Sequence, residues 1–410
     1  MSSNKKTVAF VTPRMIIGGA ESYIITKAYW LINKGYNVVV FSLGGENVAN
    51  LPVGCNHYVF DGIDDSPLHF TSKAYKSFIQ NLSDVLVDNH VDIIEAHNTF
   101  PIFHVAMSYK QTGIPFLANI LHELAYVKNP LLAILTRKLN RFGLYYTLTS
   151  EMNTYIENSF HSKLNPIILP IPVKGIISKN DKIAEPYILS VCRLSEDKMY
   201  VKYLIRDFYN LYLNNDFAKS YRLIIVGDGE LYGEMLDLAE KFNDKAQSNI
   251  IELKGTIVGE DLDLLYQNCE VFVGMGISLL LAASCGKPSI IAGFTKESES
   301  YSWGYWGENP LDSNVIGIST AKDRVKTSFE SAIKHLIESR ESYIIAGNVA
   351  RKMFSENYDL ELIMSEWERE YHRVIRISSD CAELKKELRF SFIITFLRNL
   401  RYIYKAIFKN

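Results

Sequence analysis

The chain has 410 residues, of which 48% are hydrophobic and 22% charged, a composition typical of soluble globular proteins. A formal net charge of −2 provides no basic field, so we expect no nucleic-acid partner. The five cysteines form no CxxC pair and no Cys/His cluster, which argues against a disulfide framework or metal site and favours a reducing, cytoplasmic location.

The first half of the chain alternates short β-branched runs with helical stretches. The predicted strands cover 7–13, 37–43, 91–97, 114–123 and 145–150, and the predicted helices cover 18–36 and 72–90. This alternation indicates βαβ units and a mostly parallel sheet. The stretch 165–176 contains three prolines, through which no helix can run, and it fits a linker between domains.

The same alternation restarts after this linker. The predicted strands are 187–194, 221–229, 249–255, 270–276 and 287–293, with helices near 230 and 260 and amphipathic helices over 321–376. We therefore predict an α/β fold of two doubly wound, Rossmann-like units, 1–170 and 171–365, followed by helices in 366–410. Ligands of such sheets bind outside the carboxyl ends of the strands, so a cleft between two facing units is the expected site.

The C-terminal tail, 385–410, interleaves seven basic residues with Phe, Ile, Leu and Tyr. This composition is typical of a basic amphipathic helix lying on an anionic membrane. A helix packed back on the first unit, or one that binds a partner, fits equally well. No uncharged apolar run reaches the roughly 18 residues of a spanning helix, so a peripheral position on the inner face of the cell membrane is the membrane mode expected.

Two loops carry groups suited to a phosphate. Gly18 and Gly19 open a helix after the first strand, where free N–H groups attract anions and the backbone can approach closely. Arg193 and Lys198 follow the first strand of the second unit, and a planar guanidinium with a compact ammonium suits a diphosphate. The alternatives are a tight strand–helix loop for the glycines and two solvated charges for the cations.

Two further glycine turns follow strands of the second unit. The first consists of Gly227, Asp228 and Gly229, with Asp228 as a predicted N-cap of the next helix. The second opens an apolar helix and contains Gly274, Gly276, Ile277 and Ser278. Backbone N–H groups at that helix start can receive a phosphate without any side chain, although close helix–sheet packing also requires small residues.

His122 and His97 each lie at the end of a predicted strand. A histidine in this position can hydrogen-bond a ligand or move a proton. A buried histidine satisfied by its neighbours is the alternative for both.

In their order along the chain, these motifs resemble the retaining glycosyltransferases of family 4, which have the GT-B fold. The resemblance covers about residues 7 to 375. Gly-Gly-Ala-Glu, Arg-Leu-Ser-x-x-Lys, Val-Gly-Asp-Gly and the Gly-x-Gly turn leading to Ala-x-x-Cys-Gly-x-Pro all stand in family order, and the ordered set is more specific than any one motif. The resemblance implies transfer of a sugar from a nucleotide-diphosphate donor to a hydroxyl of a carbohydrate or lipid-linked acceptor. The anomeric configuration would be retained, with no metal or other cofactor.

The resemblance also implies roles for individual residues. Arg193 and Lys198 would neutralise the leaving diphosphate, which stabilises charge that develops in the transition state. The backbone at Gly19 would approach the phosphates, and His122 would lie at the reacting face of the sugar. Residues 226–229 would neighbour the nucleotide.

The chain departs from this family at Val273 and Leu281. The family has a Glu-x7-Glu pattern here, whose first carboxylate contacts the donor sugar and whose second contacts the ribose hydroxyls. Each missing hydrogen bond is expected to weaken donor binding about tenfold to a hundredfold. Glu297 or Glu299, from the following loop, is a candidate substitute.

Three functions are compatible with these motifs. The favoured one is an active, hexosyltransferase-type enzyme of bacterial surface polysaccharide or glycolipid synthesis, because the anion-binding residues are retained. The second is a catalytically impaired GT-B protein that acts as a partner or scaffold, which the missing carboxylates suggest. The third is a nucleotide-sugar epimerase, which shares the architecture. The loops that set donor and acceptor specificity carry no recognisable pattern.

Overall fold

A computed structural model describes residues 5–16, 18–122, 130–177, 185–293, 301–308, 326–379 and 381–390. The chain divides into two compact units, the first formed by Met1–Pro172 with Ile363–Asn410 and the second by Val173–Leu362. The predicted α/β fold of two Rossmann-like units is confirmed.

The first unit is organised around one parallel sheet. Its strands are β1 (Thr7–Val11), β2 (Asn37–Ser42), β3 (Cys55–Val59), β4 (Ile93–His97), β5 (Phe116–Ile120), β6 (Tyr145–Thr147) and β7 (Ile167–Ile168), in the order β3-β2-β1-β4-β5-β6-β7. Its helices up to the linker are α1 (Gly19–Asn33), α2 (Ser72–Asp88), α3 (Phe100–Thr112), α4 (Pro130–Arg141) and α5 (Ser150–Phe160). The direction of winding reverses between the neighbouring strands β1 and β4, which is where sheets of this kind bind ligands.

The second unit repeats this plan with six strands. They are β8 (Tyr187–Val191), β9 (Arg222–Val226), β10 (Ile251–Leu253), β11 (Val271–Gly274), β12 (Ser289–Ala292) and β13 (Ser302–Tyr305), in the order β10-β9-β8-β11-β12-β13. Only β13 is antiparallel to its neighbour among these strands. The helices are α6 (Tyr200–Asn214), α7 (Tyr232–Ala246), α8 (Glu260–Asn268), α9 (Ile277–Ser284), α10 (Phe329–Glu338) and α11 (Arg340–Asn357). Here the winding reverses between β8 and β11.

Burial and side-chain caps explain where the predicted elements begin and end. Strands β1, β4 and β5 are buried at every position. Strand β1 is a nearly unbroken apolar run, whereas β4 carries the buried Glu95 and His97 and β5 carries the buried Asn119. Helix α2 begins where predicted because Thr71 Oγ1 accepts a hydrogen bond from the Ala74 N–H at 3.2 Å. The predicted strand 145–150 is too long, since Thr149 caps α5 by accepting from the Met152 N–H at 3.1 Å.

Two strands of the first sheet are absent from the sequence predictions. Strand β3 lies at the sheet edge with mostly exposed side chains, so it lacks the apolar signal of the central strands. Strand β7 has two residues and pairs with β6 inside the proline-rich stretch. The sheet therefore extends into the predicted linker.

The last two described helices complete the first unit. They are α12 (Leu360–Ser378) and α13 (Ala382–Glu387). Phe390 is buried with its ring 5.2 Å from that of Phe103, and Lys138 Nζ lies 2.9 Å from a carboxylate oxygen of Glu387. The start of the predicted tail thus packs on the first unit, and 391–410 lie outside the described residues. Within the described ranges, no helix combines the length and apolar character needed to cross a bilayer.

Candidate functional site

The two cations predicted to bind a diphosphate follow β8, the strand next to β11 in the second sheet. Lys198 Nζ lies 3.2 Å from Sδ of Met275, the central residue of the Gly-Met-Gly turn after β11. Two motifs separated by 77 positions in the chain therefore meet where the winding of this sheet reverses. Arg193 belongs to the same loop as Lys198, and its side chain is 63% exposed.

Asp197 joins the two cations. Its carboxylate oxygens lie 3.8 Å from Arg193 Nη2 and 3.3 Å from Lys198 Nζ. Burial alone would raise the pKa of Asp197, but a hydrogen bond from the Ser195 hydroxyl and the nearby Lys198 ammonium lower it below its usual value. The ionised carboxylate holds the two cations close together and leaves the group of three with a net positive charge.

The Gly-Met-Gly turn opens α9 as predicted. Gly276 is the N-cap residue with φ of 69°, and an added Cβ there would meet no atom within 4 Å. The backbone N–H groups of Ile277 and Ser278, at the first two positions, have no acceptors within the helix itself. Ser278 Oγ donates to the Met275 carbonyl at 3.0 Å, which keeps the turn closed. Gly274 differs, since an added Cβ would lie 2.8 Å from the Phe272 ring, and this contact favours the packing alternative for that residue.

Gly227 and Gly229 allow the turn after β9 to pack against the loop after β8. Their φ angles are 140° and 151°, and added Cβ atoms would lie 1.8 Å from the Cys192 carbonyl oxygen and 2.3 Å from that of Leu194. Asp228 is not the N-cap of the next helix: its Oδ1 accepts from the Gly229 N–H at 2.7 Å, and α7 has Leu231 as N-cap. The prediction that Asp228 caps this helix was wrong because the turn continues for three further residues.

Substitution of these glycines distinguishes a packing role from a ligand role. Gly227→Ala is expected to lower the free energy of unfolding by more than 2 kcal/mol, roughly, because its Cβ would overlap backbone that cannot move aside. Gly276→Ala is expected to lower the free energy of unfolding by only about 1 kcal/mol, because the added methyl group contacts no other atom and only the left-handed backbone angle is strained. Thermal unfolding of both variants checks this order. Equal losses would contradict it.

In the first unit, Gly18 is the N-cap of α1 and Gly19 is its first residue, as predicted. An added Cβ on Gly18 would lie 2.6 Å from Oε2 of Glu21, the end of a flexible side chain, and the φ of −177° suits any residue, so neither packing nor backbone angle requires glycine at this position. His122 follows β5 with an exposed side chain. Its backbone N–H donates to Oδ1 of Asn98, the residue after β4, at 3.0 Å.

His97 is a buried histidine and not an exposed ligand-binding one. It is 0% exposed, its Nε2 lies 2.9 Å from Oε1 of Glu95, and burial lowers its pKa. Glu95 is the centre of a buried polar cluster that also contains Tyr23, Lys27, Asn119 and Tyr371. We call this set, with His97, the Glu95 cluster.

The two positions of the missing carboxylates have different surroundings. Val273 is 0% exposed and packs in the hydrophobic core of the second unit. Leu281 lines a cavity of about 440 Å³ together with Lys174, Gly175, Ile176, Ile177, Glu260, Asp263, Leu264 and Gln267. This cavity therefore already contains two carboxylates on α8. The substitutes named from the sequence, Glu297 and Glu299, lie outside the described residues.

Among the residues that the structure describes, no three His, Cys, Asp or Glu side chains are grouped so as to hold a metal ion.

Solved structures share this fold at low sequence identity. A glycosyltransferase from Rickettsia africae ESF-5 is 13% identical with a TM-score of 0.67, over 91% of this chain and 99% of its own. Anabaena Alr3699/HepE in complex with UDP and glucose is 15% identical with a TM-score of 0.61, over 90% of this chain and 100% of its own. WaaG, a glycosyltransferase involved in lipopolysaccharide biosynthesis, is 14% identical with a TM-score of 0.54, over 91% of this chain and 100% of its own. No curated protein matches the sequence significantly.

Two family models match the two units in turn. The model described as Glycosyltransferase Family 4 matches residues 17–163, and the model described as Glycosyl transferases group 1 matches residues 185–305. The chain is a glycosyltransferase of the GT-B type. The glycosyltransferase motifs read from the sequence thus fall within matched stretches.

Sequence reasoning missed two residues that contact predicted site residues, one in each unit. Asp197 lies inside the quoted cation motif, but nothing in its spacing shows that it contacts both Arg193 and Lys198. Asn98 lies beside His97, and only the backbone turn after β4 brings its side chain to His122. The position of Asp197 between two basic residues does not distinguish it from an ordinary loop carboxylate, and no sequence signal indicates the role of Asn98.

Proposed function

We propose that this GT-B glycosyltransferase moves a sugar from a nucleotide-diphosphate sugar to a hydroxyl acceptor with retention of configuration. The observation that supports this most strongly is the convergence of Arg193, Lys198 and the start of α9 at one point of the second sheet. A guanidinium, an ammonium and helix N–H groups are together suited to a diphosphate leaving group.

The chemical work of these groups follows from their charge. As the glycosidic bond to the phosphate breaks, negative charge grows on the diphosphate. Arg193 and Lys198 attract this charge more strongly in the transition state than in the bound donor, so they lower the barrier. We propose that the two cations provide the neutralisation for which other enzymes use a metal ion. The backbone at Gly19 and the exposed His122 would act from the first unit, at the phosphates and at the sugar.

The cavity beside Leu281 is our candidate for the nucleoside. Ile176 and Leu264 give it apolar surface for a base, and Glu260 and Asp263 bring carboxylates that can accept hydrogen bonds from ribose hydroxyls. In this proposal the carboxylates of α8 compensate for the leucine at 281.

The acceptor and the place of action extend this proposal. WaaG, which shares the fold, acts in lipopolysaccharide biosynthesis. The basic and aromatic composition of 385–410 fits contact with an anionic membrane. We therefore propose a carbohydrate or lipid-linked acceptor of bacterial surface polysaccharide or glycolipid synthesis, at the cytoplasmic face of the membrane.

One observation favours a second function, that of a catalytically impaired partner protein. Val273 is fully buried in the core of the second unit, so no carboxylate reaches the donor from that position. Under this alternative the chain would bind a partner enzyme and would not turn over a donor sugar.

Calorimetric titration of the full chain with UDP, GDP and ADP tests the main proposal. Binding of one nucleotide, with slow hydrolysis of the corresponding nucleotide-sugar, is expected from a working donor site. Absence of binding for all three, with no hydrolysis of their sugars, would favour the partner function. Release of an epimerised sugar without any acceptor would identify an epimerase.

Leu281→Glu tests the placement of the nucleoside. If the ribose lies in this cavity, a third carboxylate should tighten UDP binding about tenfold, with the repulsion from Glu260 and Asp263 limiting the gain. Leu281→Gln, which adds no charge, should give a smaller gain. Leu213→Glu, an exposed leucine elsewhere in the unit, serves as control. Unchanged affinity in both Leu281 variants would place the nucleoside elsewhere.

A further inference from the structure

Asn98 connects the ends of two neighbouring strands in the first unit. It follows β4, and its side-chain Oδ1 accepts hydrogen bonds from the backbone N–H groups of Leu121 at 2.8 Å and His122 at 3.0 Å. Both donors lie directly after β5. A single side-chain oxygen therefore fixes the direction in which the chain leaves β5.

The backbone at Asn98 explains why an asparagine occupies this position. Its φ of 61° is in the left-handed region, which asparagine and aspartate tolerate better than other residues with side chains. These two residues also carry an oxygen close enough to the backbone to accept from nearby N–H groups. Glycine would fit the backbone angle but could not supply the acceptor.

The residue that accepts the backbone hydrogen bond of Asn98 is buried and is itself hydrogen-bonded. The Asn98 N–H donates to the carbonyl of Asn119 at 3.2 Å, and the side chain of Asn119 donates to Glu95 Oε1 at 3.0 Å and to the Tyr23 hydroxyl at 2.8 Å. Asn119 is 0% exposed. The turn that carries His122 is thus tied to the Glu95 cluster through Asn98 and Asn119.

We propose that Asn98 is a positioning residue that sets the orientation of His122 toward the donor sugar. This inference rests on the proposed function, because it gives His122 a role at the sugar. Asn98 itself need not touch the substrate. Its action passes through two backbone hydrogen bonds, so it should depend on the acceptor oxygen and not on the charge or size of the side chain.

Three variants of the full chain separate these contributions. Asn98→Gly keeps the left-handed backbone and removes the acceptor, whereas Asn98→Asp keeps both. His90→Gly is the matched control, since His90 also has a left-handed φ of 50° in the same unit but lies at the end of α2, away from this turn. Amide hydrogen exchange of Leu121 and His122 is measured in each, together with kcat and KM for donor hydrolysis or transfer.

In Asn98→Gly, the exchange of the two amides should rise about threefold to tenfold, and kcat should fall about tenfold with little change in the KM for the donor. In Asn98→Asp, the amide exchange and kcat should both stay within about threefold of the wild-type values, and His90→Gly should change neither quantity. In a His122→Ala background, Asn98→Gly should have no further effect on kcat, because the group that it positions is gone.

Exchange that stays the same in Asn98→Gly, or a kcat effect that persists undiminished without the His122 side chain, would overturn the inference. A wild-type chain that neither hydrolyses nor transfers any donor would instead overturn the proposed function, and the exchange data would still decide whether Asn98 holds this turn.

Discussion

Arg193→Ala is expected to lower kcat/KM about a hundredfold to a thousandfold, and Lys198→Ala to a similar degree. In the proposed function both side chains lie beside the leaving diphosphate, so the loss should be seen mainly in kcat. The KM for the donor should rise less, since the ground state already carries part of that charge. Steady-state kinetics with a nucleotide-sugar donor measures both constants.

The double variant should lose less than the sum of the two single losses. The two cations share Asp197, so removal of one changes the field at the other. Lys202→Ala is the matched control, because Lys202 is an exposed lysine of the same unit that pairs with Glu234 at 2.8 Å. Full activity in Arg193→Ala would contradict the proposed role of this site.

The sheets could be predicted because their central strands are buried. Strands such as β1 and β8 leave nearly unbroken apolar runs between helical stretches, and these runs are visible in the sequence. The two edge strands of the first sheet leave no such mark. Strand β3 has only partly buried side chains, and β7 has two residues beside prolines, so tertiary pairing alone creates them.

The site was predictable only as far as it follows strand ends. Arg193 and Gly276 could be named because each follows a recognisable strand. The contact between their two loops, from Lys198 to Met275, depends on strand order, since β8 and β11 are neighbours in space although β9 and β10 lie between them in the chain. The role of Asn98 could not be predicted. No sequence pattern distinguishes an asparagine that has a left-handed backbone angle and accepts two hydrogen bonds from an ordinary loop asparagine.

Glu95 is the residue of the first unit whose change should cost most stability. Its two carboxylate oxygens accept from the side chains of Tyr23, Lys27, Asn119 and Tyr371, with His97 Nε2 at 2.9 Å. Lys27 Nζ, 2.7 Å from Glu95, also lies 3.3 Å from the centre of the Trp367 ring. Burial by itself would raise the pKa of Glu95, but these charged and hydrogen-bonding neighbours hold it well below its ordinary value, so the carboxylate is ionised.

Glu95→Gln should therefore destabilise the first unit by about 3–5 kcal/mol and lower its Tm by about 10 °C, because Lys27 loses the carboxylate that favours its charged form against burial, which lowers its pKa to about 7. Lys27→Met combined with Glu95→Gln should recover part of this loss, since no unpaired buried charge remains. Glu366→Gln, at an exposed carboxylate 3.4 Å from Arg369, should change Tm by little.

The pH dependence gives this prediction a second, independent measurement. A carboxyl whose pKa is lower in the folded state stabilises that state fully above its unfolded pKa of about 4.3, and the contribution is lost as the pH falls toward the folded pKa. Below about pH 4 the difference in Tm between the wild-type chain and Glu95→Gln should therefore shrink progressively. Calorimetric scans at these pH values measure it. A difference that did not shrink below about pH 4 would mean that Glu95 is already protonated in the folded chain, and the cluster would then stabilise the sheet through neutral hydrogen bonds alone.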